Sequence, residues 1–451
     1  MIKTRVMPNR LTAKIVSPTV SPPQIPAFAD IHAHILNRRS IALISVHGDP
    51  AVNIGQEEAG GQNVYVRQVG EALASLGWQV DMFTRKSCPN AANIVQHSAR
   101  CRTIRLKAGP EAFVPRDCLI EYLPEFTANF ARFMGKEAYP IIHTNYWLSG
   151  QVGLQLRQKH ALQWVHTYHS LGAVKYQSSE HMPAIARTRL DVERQILEQA
   201  DRVVATSPQE QEHMNSLLSQ WGAIDVIPCG TNLDKFRLIP KAEARAKLKQ
   251  KADEKIVLYV GRFDPRKGIA TLVKACAQLK QEGETDRLRL IIVGGSHPER
   301  CDGTEEQRIR QMTHDLGLSD CTTFAGQVNH ETLPFYYAAA DVCVVPSHYE
   351  PFGLVAIEAM ACGTPVIASN VGGLKFTVVP EKTGLLVPPK EVAAFGRAIA
   401  RILNHPAWAK RLGGQAASRT QKYFAWSGVA TELSQLYSTL LAPPTRYFSL
   451  N

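Results

Sequence analysis

Short, nearly continuous apolar runs separated by helical patterns constrain this chain more than any other feature. IALISVHG (41–48) is the first, closing on Gly; QVDMFTRK (79–86), PIIHTNY (140–146), LQWVHTYHS (162–170), RVVATSP (202–208) and IDVIPCG (224–230) follow. Runs of this length without polar alternation suit strands of a parallel sheet buried on both faces. Between several of them lie helix-like segments such as NVYVRQVGEALASLG (63–77) and RLDVERQILEQA (189–200). Strands alternating with helices predict a doubly wound α/β domain.

The rhythm restarts beyond a separating stretch, 231–254. KIVLYVGR (255–262), LRLIIVGG (288–295), DVCVVPS (341–347) and TPVIASN (364–370) form a second set, and SGVATELSQLYSTLL (427–441) is a last amphipathic helix. A length of 451 residues accommodates two ordinary domains. The expected organisation is an arm over 1–38, an acceptor-binding Rossmann-like domain over 39–235 and a second Rossmann-like domain over 236–425. A terminal helix over 426–451 would cross back to the first domain. Open α/β sheets bind ligands at the carboxyl ends of their strands. Two such sheets with those ends facing each other predict a cleft with a donor on one wall and an acceptor on the other.

Composition narrows the ligands. Lys and Arg number 51 against 40 Asp and Glu, a formal net charge of +11, yet no long basic run or basic-aromatic motif stands out. Anionic metabolites therefore fit better than nucleic acid. The nine cysteines are widely spaced with no CxxC pair, which points to buried thiols in a reducing compartment rather than to disulfides or a metal centre. No stretch reaches the ~18 apolar residues of a membrane span, and the proline-containing opening residues lack the apolar region of a signal peptide. A cytoplasmic protein with no membrane partner is expected, its opening arm partly disordered.

Two stretches of the second half carry chemistry together. GRFDPRKG (261–268) offers Arg262, Arg266 and Lys267 in a glycine-flanked turn at a strand end, a setting that suits a diphosphate. EPFGLVAIE (350–358) places Glu350 before a turn and Glu358 one turn into the helix that follows. The backbone amides of Gly353, Leu354 and Val355 would be unpaired at that helix start and free to donate. In the first half, Gly60 and Gly61 open a helix expected near Val64, another anion-binding position.

Taken together, these motifs resemble the retaining glycosyltransferases of the GT-B fold, a group that includes sucrose-phosphate, sucrose and glycogen synthases. The resemblance spans roughly residues 40 to 440. It implies two Rossmann-like domains facing each other across a cleft, with a nucleotide sugar held between the two glutamates. Arg262 and Lys267 would bind the diphosphate. Glu350 would hold the transferred sugar, with Phe352 and the backbone of Gly353, Leu354 and Val355. Glu358 would take the ribose, and the backbone of Gly326, Gln327 and Val328 the base. The amides of Gly60 and Gly61 would touch the phosphates, and Gln62 the acceptor. His169 matches the family's active-site histidine, whereas His166 reads as structural. With Glu350, Arg262 and Lys267, His169 makes up the expected catalytic set.

The acceptor side resembles most the sucrose-phosphate-forming branch, in which basic residues hold the acceptor's phosphate. Arg116, Arg187 and Arg189 would do so here, with Tyr146 and Ser170 beside them. The implied reaction moves glucose from UDP-glucose to fructose 6-phosphate with retention. No cofactor or metal is implied, although magnesium could stimulate through the diphosphate. A separate sucrose-phosphate phosphatase would be a natural partner, since no phosphatase-like domain follows. HTNYWLSGQVG (143–153) and HSLGAVK (169–175) also resemble the branch that transfers N-acetylglucosamine to inositol phosphate. A synthase using free fructose and an inactive sugar-nucleotide-binding regulator are the remaining alternatives, and the base preference (UDP, ADP or GDP) is open.

Overall fold

The computed structural model describes residues 39–52, 60–135, 139–177, 182–283, 287–296 and 301–442. The expected arm over 1–38, the stretch 53–59 of the glycine-rich loop and the last residues from 443 onward lie outside the described residues.

The first sheet has eight strands: β1 (Ser40–Ile44), β2 (Gln79–Arg85), β3 (Ile94–Ser98), β4 (Cys101–Leu106), β5 (Ile141–Asn145), β6 (Gln163–Thr167), β7 (Arg202–Ala205) and β8 (Ile224–Val226). Their order is β3-β4-β2-β1-β5-β6-β7-β8, all parallel except β3, which runs antiparallel to β4. The second sheet is parallel throughout: β9 (Lys255–Val260), β10 (Leu288–Val293), β11 (Thr322–Gly326), β12 (Val342–Val345), β13 (Val366–Ser369) and β14 (Gly384–Val387). Its order is β11-β10-β9-β12-β13-β14. The apolar runs β1, β5 and β12 are buried over nearly their whole length, because helices cover both faces of each sheet.

Both sheets reverse their strand order once, between β1 and β5 in the first and between β9 and β12 in the second. A crevice opens at the carboxyl ends of the strands at such a reversal. The loops leaving β1, β5, β9 and β12 carry Gly60–Gly61, Tyr146, Arg262–Lys267 and Glu350–Gly353. The topology alone therefore delivers the expected site residues to two facing crevices.

Two connections join the domains, and they run side by side. The amide of Thr231 donates to the carbonyl of Phe424 at 2.7 Å, and a Cβ on Gly230 would meet Trp426 Cδ2 at 2.7 Å. The last helix, Trp426–Leu441, then packs on the first-domain helix Gly61–Ser75. Ser434 accepts from the indole of Trp78 at 2.9 Å, and the buried hydroxyl of Tyr437 lies 2.6 Å from Nδ1 of His143.

Candidate active site

The glycine-rich loop and the PFG turn face each other across the cleft. Helix Gly61–Ser75 starts at Gly61, three residues ahead of the sequence expectation, with Gly60 as an extended N-cap. Asn63 and Val64 donate to the Gly60 carbonyl, and the Gly60 amide is engaged by Asn63 Oδ1 at 3.3 Å. The amides of Gly61 and Gln62 stand at the positive end of the helix. A Cβ on Gly61 would come within 3.1 Å of Leu354 Cδ1, so a side chain there would narrow the gap between the walls. Gln62 is held toward the cleft floor by Ser45 Oγ at 3.0 Å and the Asn145 carbonyl at 3.3 Å.

On the opposite wall, Gly353 turns the chain with φ of +94°, and a Cβ there would sit 2.6 Å from Leu374 Cδ2. Only glycine takes that conformation without strain. Helix Leu354–Ala361 follows, with Ala356 and Ile357 donating to the Gly353 carbonyl. Phe352 is buried edge-on against Phe424, which anchors the turn from behind. Lys267 Nζ lies 2.6 Å from Glu350 Oε2, and Ser347 Oγ donates to the same oxygen at 3.3 Å. Arg262 is exposed at the same strand end. Glu350 is thereby paired with one cation, Lys267, whose turn also carries Arg262, an arrangement that can hold a sugar hydroxyl next to a diphosphate.

Glu358 lies deeper. It lines a cavity of about 500 Å³ shared by Asn63, Val64 and Arg67 of the first domain, the linker at Gly230 and Thr231, and Asn329 and Leu354 of the second. Burial pushes its carboxyl up to about 7, partly offset by the hydroxyl of Tyr337, which donates to Oε2 at 2.8 Å. Val328 packs against the second-domain core beside this region, after the left-handed Gly326.

His169 sits on the first-domain wall in a left-handed conformation, φ +59°. Its Nε2 lies 2.9 Å from Asn145 Oδ1, and its ring meets Tyr65 edge-on at 4.7 Å. Burial lowers it to about 3, which favours the neutral ring in the ligand-free protein. His166 is fully buried with Nδ1 on Thr144 Oγ1 at 2.8 Å, a core position.

The expected acceptor residues divide. Tyr146, also at positive φ (+74°), has two guanidinium groups near its ring, with Arg116 Cζ 5.7 Å and Arg189 Cζ 5.0 Å from the centroid. Arg189 is almost fully buried: it pairs with Glu193 at 2.7 Å, donates to Tyr146 Oη at 3.0 Å and to the Ser170 carbonyl at 2.5 Å. The Ser170 hydroxyl lies 3.4 Å from that of Tyr349, across the cleft. Nε of Arg116 is buried without a hydrogen-bond partner, a donor awaiting an acceptor. Arg187 is exposed on the first turn of helix Ala186–Gln199. Sequence reading overlooked His47, whose ring lies 4.6 Å from that of Tyr146, and also Tyr337 and Tyr349. His47 closes the first apolar run, a position that could have signalled it; the tyrosines carry no spacing signal.

Two facing Rossmann-like domains with a diphosphate-type turn, paired glutamates and a glycine-opened helix define a GT-B glycosyltransferase. Comparison with known proteins agrees. The model for glycosyl transferases group 1 matches residues 240–419, and that for the glycosyl transferase 4-like domain matches 60–230. D-inositol 3-phosphate glycosyltransferase of Gordonia bronchialis is 36% identical over 410 residues, covering 89% of this chain and 88% of its own length. Its namesake from Corynebacterium jeikeium is 35% identical over 413 residues, with 90% and 97% covered. Among solved structures, sucrose-phosphate synthase from Thermosynechococcus elongatus is 57% identical with a TM-score of 0.83, covering 89% of this chain and 99% of that one. The chain belongs to the group 1, family 4-like glycosyltransferases of the GT-B fold. No helix among the described residues is long and apolar enough to cross a membrane.

Proposed function

We propose that this protein is a sucrose-phosphate synthase, moving glucose from UDP-glucose to fructose 6-phosphate with retention at the anomeric carbon and releasing UDP. The observation that carries the reading is the 57% identity to the Thermosynechococcus elongatus enzyme over nearly the whole of both chains. The site fits it. Cleavage of the sugar–phosphate bond develops charge on the departing diphosphate, and Arg262, Lys267 and the Gly61 amide are the groups to receive it. Lys267 already bridges toward Glu350, leaving Glu350 to orient the sugar. His169, neutral and fixed by Asn145, would line the reacting face through its ring and carbonyl. The departing phosphate oxygen, on the same face as the incoming hydroxyl, would take the acceptor's proton.

The acceptor's phosphate would lie on Arg116 and Arg189 beside Tyr146, with Ser170 and the exposed Arg187 at the margin. A second reading follows from the curated relatives: transfer to an inositol phosphate, at 36% identity. It uses the same phosphate pocket with a different ring beyond it. A product with a phosphate ester suits a separate phosphatase as the next enzyme, and the reaction needs no metal ligand from the protein. NMR of the product made from UDP-glucose and fructose 6-phosphate tests the proposal. An α-configured glucosyl–fructose phosphate is expected; a β-linked product, or release of free glucose alone, contradicts it.

A further inference from the structure

A second cavity between the domains, of about 310 Å³, lies next to the acceptor cluster but is built from different residues. The first domain lines it with Leu171 and Val174, which follow β6, and with Glu210 and His213 of helix Pro208–Leu217, which follows β7. The second domain lines it with Tyr349 and Pro351 after β12 and with Asn370 and Lys375 after β13. These are again strand carboxyl ends, displaced along both sheets from the two reversals of strand order. Apart from Tyr349, no residue assigned above to donor or acceptor lines the cavity. The hydroxyls of Tyr349 and Ser170, 3.4 Å apart, mark its border with the acceptor cluster.

Glu210 is the unusual group there. Its side chain is buried, and Oε2 accepts from the Thr206 amide at 2.6 Å and the Thr206 hydroxyl at 2.7 Å. Oε1 is equally buried and has no hydrogen-bond partner among the described residues. A buried carboxylate oxygen left without a donor is costly, and the cavity it lines is where a donor can enter. We propose that this cavity is a further binding site, for a neutral mono- or disaccharide that places a hydroxyl on Oε1 of Glu210. The charges select against other ligands. The Glu210 carboxylate opposes a phosphate, and the exposed Lys375 opposes a cation. The aliphatic faces of Leu171, Val174 and Pro351 suit the C–H faces of a sugar ring, while His213 and Asn370 offer further hydrogen bonds. Because both domains line the cavity, an occupant favours the domain arrangement in which its walls meet. It would sit beside the acceptor cluster without entering it, whichever acceptor the enzyme uses.

The test is calorimetric titration of sucrose, glucose and fructose, each in turn, into the full chain saturated with UDP. Wild type, Glu210→Gln, Asn370→Ala and Arg116→Ala are compared. Gln keeps an oxygen for the Thr206 donors but removes the charge. At least one of the three sugars should bind wild type, and Glu210→Gln should weaken it about tenfold, the loss of one charge-assisted contact. Asn370→Ala, at an exposed side chain, should weaken it less, and decides the matter if Glu210→Gln does not fold. Arg116→Ala should leave the affinity unchanged. Weakening by Arg116→Ala would place the sugar in the acceptor cluster instead. That result, an affinity untouched by Glu210→Gln, or no binding of any of the three sugars overturns the inference, and none of them bears on the identity of the acceptor.

Discussion

At the scale of single residues, the two glutamates differ in what surrounds them. Glu350 is paired with Lys267 at 2.6 Å, whereas among the described residues the carboxylate of Glu358 has the Tyr337 hydroxyl as its partner, and burial raises it to about 7. Because its folded value exceeds the ordinary 4.5, the ligand-free fold favours the neutral acid. The associated stability is present below about 4.5 and is lost as pH rises through about 7. Glu358→Gln should therefore melt higher than wild type at pH 8, by roughly 2–4 °C per kcal/mol recovered, and no higher at pH 4. The same variant should bind UDP about tenfold more weakly at pH 8, where the ribose hydroxyls lose a charged acceptor. Wild-type UDP affinity should drop between pH 8 and pH 6 more steeply than that of the variant, which corrects for titration of UDP itself. Parallel pH dependences would remove Glu358 from the ribose site. His169, at about 3, contributes no limb in this range. The residue types and spacings of the motif were legible in the sequence. The partners were not, because Tyr337, Asn145 and Tyr349 reach the site from other elements. Arg189 shows the same limit: it was expected at the acceptor, but its buried pairing with Glu193 and Tyr146 arises only when helix Ala186–Gln199 packs against the loop after β5. Replacing Arg189 by alanine would leave the Glu193 carboxylate buried and unpaired, a cost of about 3–5 kcal/mol, so Arg116, half-buried and with no carboxylate partner among the described residues, is the better probe of binding.

At the scale of elements, the buried parallel strands were readable from their continuous apolar runs, whereas the edge strands β3 and β11 were not. β3 alternates exposed and half-buried residues over IVQHS, and β11 is half-covered throughout. At a sheet edge one side lacks a neighbour, so neither needs the apolar run that marks a central strand. β4 and β14 escaped notice for other reasons: β4 is interrupted by Arg102, Thr103 and Arg105, and β14 runs for only 4 residues. The amphipathic pattern of Trp426–Leu441 foretold a helix, expected to cross back to the first domain, but not the contacts that fix its seat there. That seat depends on polar contacts made far away in sequence, from Ser434 to Trp78 and from Tyr437 to His143. Tyr437→Phe should leave Nδ1 of the buried His143 without its partner, at a cost of about 1–3 kcal/mol. Thermal unfolding should shift downward by several degrees while substrate KM values hold. An unchanged melting temperature would mean that the tyrosine hydroxyl adds nothing to the docking of this helix.

At the scale of the whole molecule, two sheets each reverse strand order once, and the reversals face each other. The sequence announced both sheets through the restart of its strand rhythm, and the cleft followed from the general placement of ligands at strand ends. What discriminates one acceptor from another was less legible, since it depends on how Arg116, Tyr146, Ser170 and Arg189 converge from four separate segments. Relatives with inositol phosphate in their names match this chain over most of its length, so overall similarity does not by itself single out the acceptor. The most direct measurement is kcat/KM for purified protein with UDP-glucose and, in turn, fructose 6-phosphate, free fructose and inositol phosphate. The account predicts fructose 6-phosphate as the best acceptor, ahead of free fructose by about 10²–10³-fold for two charge-assisted contacts. Faster transfer to inositol phosphate, or no preference for the phosphorylated fructose, would contradict it.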